Sequence, residues 1–396
     1  MGLITPPVNA TLTHRHPRGP VLSWSGLLVG ARPKLPSLGE LPHRIYTSSG
    51  RAALLAALEH MSLAAGSTVL TSAYHCPTMI APIVYAGLKP VFYPLGGDGL
   101  PCLQLMEAMP LAGVRAMIVP HLFGIPRSLQ LTQDWCRHRN IALIEDCAHS
   151  YFGWAGDRPV GHWGDYAIAS LTKFFPLGEA GLLTSVHHQL ETNQLTAPGA
   201  RTELKSLFNT LESAFRNSSW LGIKNLVNHY PRIKDLPKPT AQAVSNFKPA
   251  INVQAAMAAC DMSRVRQHPA TLAMALHRWS ARQSDIEQRQ INFRTLQACF
   301  KSANGARVLF DPDVSKIAPY ALPLWIEDPD RADRVYAAAR MAQMPVLRWD
   351  SAWPDSDCKG LAEGQRRQIL QILCHQSLRA SDARAIGEKL LLCLDD

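Results

Sequence analysis

Two residues that close apolar runs, and one glycine turn before a helix, are of the types that build a covalent cofactor site. Lys173 follows the run YAIASL and is backed by Phe174 and Phe175. An amine among apolar groups has its charged form disfavoured, and the lowered pKa is what a Schiff-base nucleophile needs. A solvated loop lysine is the ordinary alternative. Asp146 closes the run IALIED, where a buried charge requires a cationic partner; a helix N-cap is the other use of an aspartate there. Glu145, pointing the opposite way along the same run, is expected to be solvated or to pack on a helix. The stretch TSSGRAALLAAL sets Thr47, Ser48 and Ser49 at the mouth of a helix, followed by Gly50. Free N–H groups and the positive end of the helix dipole suit an anion there, and glycine allows close approach. A plain Ser49 N-cap satisfies the same pattern.

The elements that must position these residues alternate regularly. STVLTS (67–72), KPVFYPL (89–95), VRAMIVP (114–120), IALIED (141–146), YAIASL (166–171) and GLLTSV (181–186) read as strands. RAALLAALEHM, TMIAPIVYAG and RSLQLTQDWCRHR between them carry apolar residues at helical spacing. Strands each followed by a helix predict a mainly parallel α/β sheet covered on both faces, with ligands gathered where strands end and helices begin. Residues 1–42, rich in Pro and Gly, read as an N-terminal arm. A large α/β domain over 43–245 includes a helical insertion at about 190–245. A smaller C-terminal α+β domain over 246–396 is expected from the long helix running to Phe300, the strands PYALPLWI and MPVLRW, and the helices DRADRVYAAARMAQ and SDARAIGEKLLLCL.

Composition narrows the partners. The chain has 396 residues, 47% of them hydrophobic, and a formal charge of +9 spread along its length. That favours anionic small molecules over a nucleic-acid surface. Nine cysteines without CxxC pairs or Cys/His zinc spacing predict free thiols in a reducing, cytoplasmic setting and no metal. The opening lacks a signal-peptide core, and no window reaches the length of a membrane span.

Taken in order, a phosphate cradle, a carboxylate to hold a pyridinium nitrogen and an SxxK lysine 27 residues beyond it match what pyridoxal 5'-phosphate demands. The succession TSSGRAAL, LTSAYHCPTMIAPIVYAGLKPVFYPL, VPHLFGIPRSL, LIEDCAHSYFG, SLTKFFPLGEAGLL and NVQAAMAA resembles the DegT/DnrJ/EryC1/StrS aminotransferase family, densely over about 45–190 and loosely over 245–350. The resemblance implies the aspartate aminotransferase-like fold of fold-type I, with a seven-stranded sheet and a site at a homodimer interface. It implies Lys173 as the Schiff-base lysine and proton carrier, Asp146 on the ring nitrogen, and His149 near the phenolic oxygen. Ser49, Gly50, Arg51 and Ser170 would hold the phosphate, and Tyr74 or His75 would stack on the ring. His121 falls on the family's HxxG strand end, where a satisfied core histidine is the bland alternative.

The chain departs from the family at Arg51 in place of Thr or Ser, at Ala180 in place of a glycine, and at Asn246-Phe247-Lys248 in place of NYR. The implied activity is transfer of an amino group from an amino acid such as glutamate to a keto group of a nucleotide-linked sugar. A PLP-binding regulatory protein without turnover, and a fold-type I enzyme with a non-sugar substrate, are the alternatives. Arg348 is a candidate carboxylate binder, or else an exposed ion-pair residue.

Overall fold

The computed structural model describes residues 16–23, 30–191, 195–217, 252–280, 282–354 and 362–395. The first part of the chain runs β1 (His43–Thr47), α1 (Gly50–His60), β2 (Thr68–Ser72), α2 (Pro77–Tyr85), β3 (Lys89–Tyr93), α3 (Leu103–Met106), β4 (Val114–Pro120), α4 (Gln130–His138) and β5 (Ala142–Asp146). A small hairpin of β6 (Trp154–Ala155) and β7 (Arg158–Pro159) precedes β8 (Tyr166–Ser170), β9 (Gly181–Ser185) and α5 (Ala200–Asn217). Then come α6 (Val253–Ala258), α7 (Thr271–Ser280), α8 (Gln283–Cys299), β10 (Ala306–Val308), β11 (Ala321–Ile326), α9 (Pro329–Met341), β12 (Val346–Leu347), α10 (Glu363–Gln368), β13 (Ile369–Leu373) and α11 (Ala380–Asp395).

Seven strands form one sheet in the order β1-β9-β8-β5-β4-β2-β3. Pairings β2/β3, β2/β4, β4/β5 and β5/β8 are parallel, whereas β9 is antiparallel to both β8 and β1. Because β9 runs against both neighbours, β1 ends at the same edge as β8, β5 and β4. The strands read as continuous apolar runs because alternate side chains enter two separate cores. Met117, Val119, Leu143, Ala167 and Ala169 face a core with Trp135, Trp163, Phe174 and Phe175. Ile118, Ile144 and Ile168 face the other, filled by Leu54, Leu58, Ile80 and Ile83 from α1 and α2.

The second sheet, β10-β11-β13-β12, is wholly antiparallel. Leu322, Leu324, Leu370 and Ile372 pack there against Phe293, Leu296, Val335, Ile386 and Leu390 of α8, α9 and α11. Five strands were not among those expected: β1 at the start of the large domain, the two-residue β6 and β7, the three-residue β10, and β13, whose five-residue run ILQIL is too short for periodicity to separate strand from helix. Residues 252–270, expected in the C-terminal domain, pack on the large sheet's helices: Ala256 and Cys260 join the core of Leu54 and Met79, and Val265 that of Ala52 and Leu55. Most of the insertion expected at 190–245 lies outside the described residues; its described helix is α5. Among the described residues no helix is long and apolar enough to cross a membrane, and the eight described cysteines form no disulfide.

Candidate active site

The site grows from the shared edge of β1, β8 and β5. Thr47, ending β1, and Ser170, ending β8, both pair with Gly181 at the start of β9. A Cβ at Gly181 would lie 2.2 Å from the Ser49 carbonyl oxygen, and one at Gly50 would lie 3.1 Å from Ser170 Cβ. Two glycines therefore let the mouth of α1 close onto the end of β8. Ser49 caps the helix, its hydroxyl accepting from the Ala52 amide at 3.3 Å. The amides of Gly50 and Arg51 have no partner inside the helix by its geometry. Ala180, just before Gly181, stands at φ 135°, backbone that favours glycine, so its methyl is a source of local strain.

A cleft of about 410 Å³ opens at this edge. Of the expected residues it brings together Ser49, Gly50, Arg51, Asp146, His149, Ser170 and Lys173. Asp146 is buried, and its Oδ1 accepts the Ala148 amide at 2.9 Å. Burial pushes its acidity toward the neutral form, and the Ala148 amide, Lys173 and His121 oppose that, leaving the pKa raised. Lys173 is held below the ordinary lysine range by burial, against the pull of Asp146 and the Cys76 thiol. Its Nζ sits 5.4 Å from the Tyr320 ring centroid. His149 stacks on that same ring at 4.2 Å, and its Nδ1 accepts the Phe123 amide at 3.3 Å. Burial, with Lys173 nearby, holds His149 well below the usual histidine range. A neutral ring accepting at Nδ1 carries its proton on Nε2.

The Arg51 guanidinium donates to the Cys260 carbonyl, so its charge lies on the rim formed by the turn after α6. Tyr74 and His75 do not line the cleft. Tyr74 is enclosed by Trp349 and Phe123, and its hydroxyl receives Gln371 at 3.3 Å. His75 is fully buried, stacked on Phe92, and its Nε2 accepts the Trp353 amide at 3.2 Å. Cys76 and Trp349 line the cleft in that region. Asn246, Phe247 and Lys248 lie outside the described residues. Arg348 is neither exposed nor free: 4% exposed, it pairs with Asp333 and Asp350.

Sequence reasoning missed Glu145. It is fully buried, accepting the amides of Trp163, Gly164 and Gly161 at 2.6, 2.8 and 3.0 Å and His121 Nε2 at 2.9 Å. Alternation along β5 correctly sent it to the face opposite Asp146, but that face is covered by the 161–164 loop. Glu179 and Arg264, also at the cleft, form a two-pronged ion pair, and Glu179 additionally accepts the Ala270 amide at 2.7 Å. Lys205 and Asn209 of α5 border the mouth. Nothing in their local spacing marks these residues, because they meet only through the fold.

Residues 36–210 match the DegT/DnrJ/EryC1/StrS aminotransferase family. Among curated relatives, a Micromonospora echinospora protein named as an L-glutamine:3-amino-2,3-dideoxy-scyllo-inosose aminotransferase is 32% identical over 146 residues, 36% of this chain and 34% of its own. A UDP-N-acetyl-3-dehydro-alpha-D-glucosamine 3-aminotransferase of Acidithiobacillus ferrooxidans is 26% identical over 168 residues, covering 39% and 43%. The chain thus spans less than half the length of these relatives. In three dimensions the likeness is longer: a Streptococcus pneumoniae protein titled a sugar aminotransferase superposes over 96% of this chain and 98% of its own, with TM-score 0.63 and 13% identity. The likeness to the DegT/DnrJ/EryC1/StrS aminotransferase family thus covers residues 36–210, and over nearly its whole length the chain shares the fold of that Streptococcus pneumoniae protein.

Proposed function

We propose that the protein is a pyridoxal 5'-phosphate-dependent aminotransferase that moves an amino group from an amino acid, glutamate being the first donor to test, to a keto group of a nucleotide-linked sugar. The observation that carries this reading is the half-buried Lys173 and the buried Asp146 lining one cleft, with the open mouth of α1 between β1 and β8. The residues fit the cofactor. The amides of Gly50 and Arg51, with the Ser170 hydroxyl, suit a phosphate, and no Cβ at position 50 blocks its approach. Asp146 suits a protonated ring nitrogen, and His149 Nε2–H is a donor for a phenolic oxygen.

When bound, the cofactor supplies an electron sink for carbanion chemistry. The chain's own contribution is proton handling. Lys173, its pKa lowered by burial, stands where an amine could take a proton from a substrate carbon and return it to another atom. Asp146 would hold a proton on the ring nitrogen. By analogy with the fold, we propose a homodimer in the cytoplasm. We also propose the division into arm, large domain and C-terminal domain set out above, with residues 252–270 packed on the large domain.

The test is spectroscopic. Protein loaded with pyridoxal phosphate should show a visible band that borohydride bleaches, and glutamate should convert it to the pyridoxamine form. K173A should lose both the band and amino transfer, by a factor of about 10³ or more. A colourless wild-type protein would sink the reading. The names of the relatives favour a second acceptor class, since an inosose is a cyclic ketone without a nucleotide. Offering inososes and UDP-linked 3-keto sugars to the pyridoxamine form separates the two.

A further inference from the structure

One wall of the cleft takes no part in the chemistry proposed above. The residues that would hold the cofactor lie between positions 49 and 173. Trp349 follows β12 and, among the described residues lining the cleft, is the one that comes from beyond position 265. Its backbone is held from both sides: Arg348 before it pairs with Asp333 and Asp350, and Arg366 donates to the carbonyls of Trp349 at 3.3 Å and Ser351 at 3.1 Å. The indole leans on the buried Tyr74, ring centroids 4.7 Å apart, and on His149 at 5.6 Å. The space behind the ring is thus filled, and the half-buried indole keeps part of its surface in the cleft. Its N–H has no acceptor among the described residues.

A fixed aromatic surface with a spare donor at its edge suits a ring that has an apolar face of C–H groups and a rim of hydroxyls. A polyhydroxylated six-membered ring is such a body: its C–H face lies on the indole while a hydroxyl accepts from Nε1–H. An open-chain amino acid offers no such face, and its carboxylates are better served by cations that line the cleft from other elements, Arg51 of α1 and Lys205 of α5. We propose that Trp349 is the acceptor platform, a specificity-determining residue whose indole stacks on the six-membered ring of the keto substrate and favours cyclic, polyhydroxylated acceptors over open-chain ones. That role rests on the reading of the cleft as an aminotransferase site and names the part of the acceptor recognised there, the ring that keto sugars and inososes share.

The experiment titrates protein loaded with pyridoxal phosphate, by calorimetry, with two alcohols that match the acceptors but cannot react, myo-inositol and UDP-N-acetylglucosamine. The one that wild-type protein binds identifies the source of the ring. W349L keeps apolar bulk without an aromatic face or donor and is expected to weaken that alcohol about tenfold or more; W349F, which keeps a face and loses the donor, should weaken it about fourfold. Affinity for pyridoxal phosphate should stay within about twofold in both variants. Unchanged affinity for the alcohol in W349L overturns the proposal, and so do equal losses for alcohol and cofactor, which would make Trp349 a cofactor or folding residue. Wild-type protein that binds pyridoxal phosphate but neither alcohol also overturns it and leaves the cofactor reading standing, whereas protein that takes up no pyridoxal phosphate overturns both. Should W349L not fold, hydroxyl-radical footprinting of the wild-type protein decides: the alcohol should cut oxidation of Trp349 severalfold and leave Trp279, 65% exposed on α7, unchanged. Equal oxidation of Trp349 with and without the alcohol rejects the role.

Discussion

Lys173 illustrates how one residue's chemistry is set by its surroundings. Burial lowers its pKa, while Asp146 and Cys76 pull it back up. In cofactor-free protein the Lys173 amine should react with trinitrobenzenesulfonate at lower pH than an ordinary lysine. D146N removes a raising influence, so the midpoint of that labelling should move lower still, read by mass spectrometry of the modified peptide. A midpoint that stays put or rises would mean that the two groups do not sense one another. The same shift enters stability with a definite sign. Since the folded state binds this proton less tightly than the unfolded chain, unfolding free energy rises with pH from the lowered value up to the usual lysine range.

At the level of elements, the turn that bears Lys173 is held from the other sheet's side. Arg289 on α8 is buried; it donates to the Lys173 carbonyl at 2.7 Å and the Pro319 carbonyl at 3.2 Å, and its Nε reaches Gln376 at 2.8 Å. Gln376 in turn donates to the Phe174 carbonyl at 2.7 Å. Burial lowers the Arg289 pKa to about 10, against the raising influence of Asp285, Cys374 and Tyr320, so it remains charged at neutral pH. R289M keeps the bulk and strands several carbonyls, so a loss of about 3 kcal/mol is expected. Hydrogen exchange at the amides of Phe174 and Phe175, which bond to the Leu171 carbonyl, should quicken more than elsewhere. Uniform acceleration across the chain would assign Arg289 to general stability instead of to this turn.

Across the whole molecule, the two sheets are joined through the turn after β2. Arg366 of α10 is fully buried and donates to the carbonyls of Ala73 at 2.7 Å and His75 at 3.1 Å, while Gln371 of β13 reaches the Tyr74 hydroxyl. Tyr74 and His75 are thus the joint between the layers, which is why neither is free to enter the cleft. R366M should cost about 3 kcal/mol and uncouple the halves, so that the single thermal transition expected of the parent broadens or splits. Calorimetry that shows one equally sharp transition at the parent's temperature would place the joint elsewhere.

Local pattern was enough for much of this. Apolar runs of strand length separated by helical periods made the parallel sheet legible, and strand ends followed by Ser49-Gly50, Asp146 and Lys173 marked the cleft, because a parallel sheet collects its strand ends at one edge. Side-chain alternation even sent Glu145 and Asp146 to opposite faces. It could not reveal what covers each face, so Glu145 was expected in solvent or against a helix, although a loop 16 to 19 residues away closes over it. Distance in sequence hid the rest: Arg289 supports Lys173 across 116 positions, and Arg366 withdraws Tyr74 and His75 across nearly 300. Composition and spacing determine which elements form and which residues stand at their ends, since those are short-range effects. Which of those residues face a ligand and which are spent on holding the layers together depends on contacts that exist only once the two sheets meet.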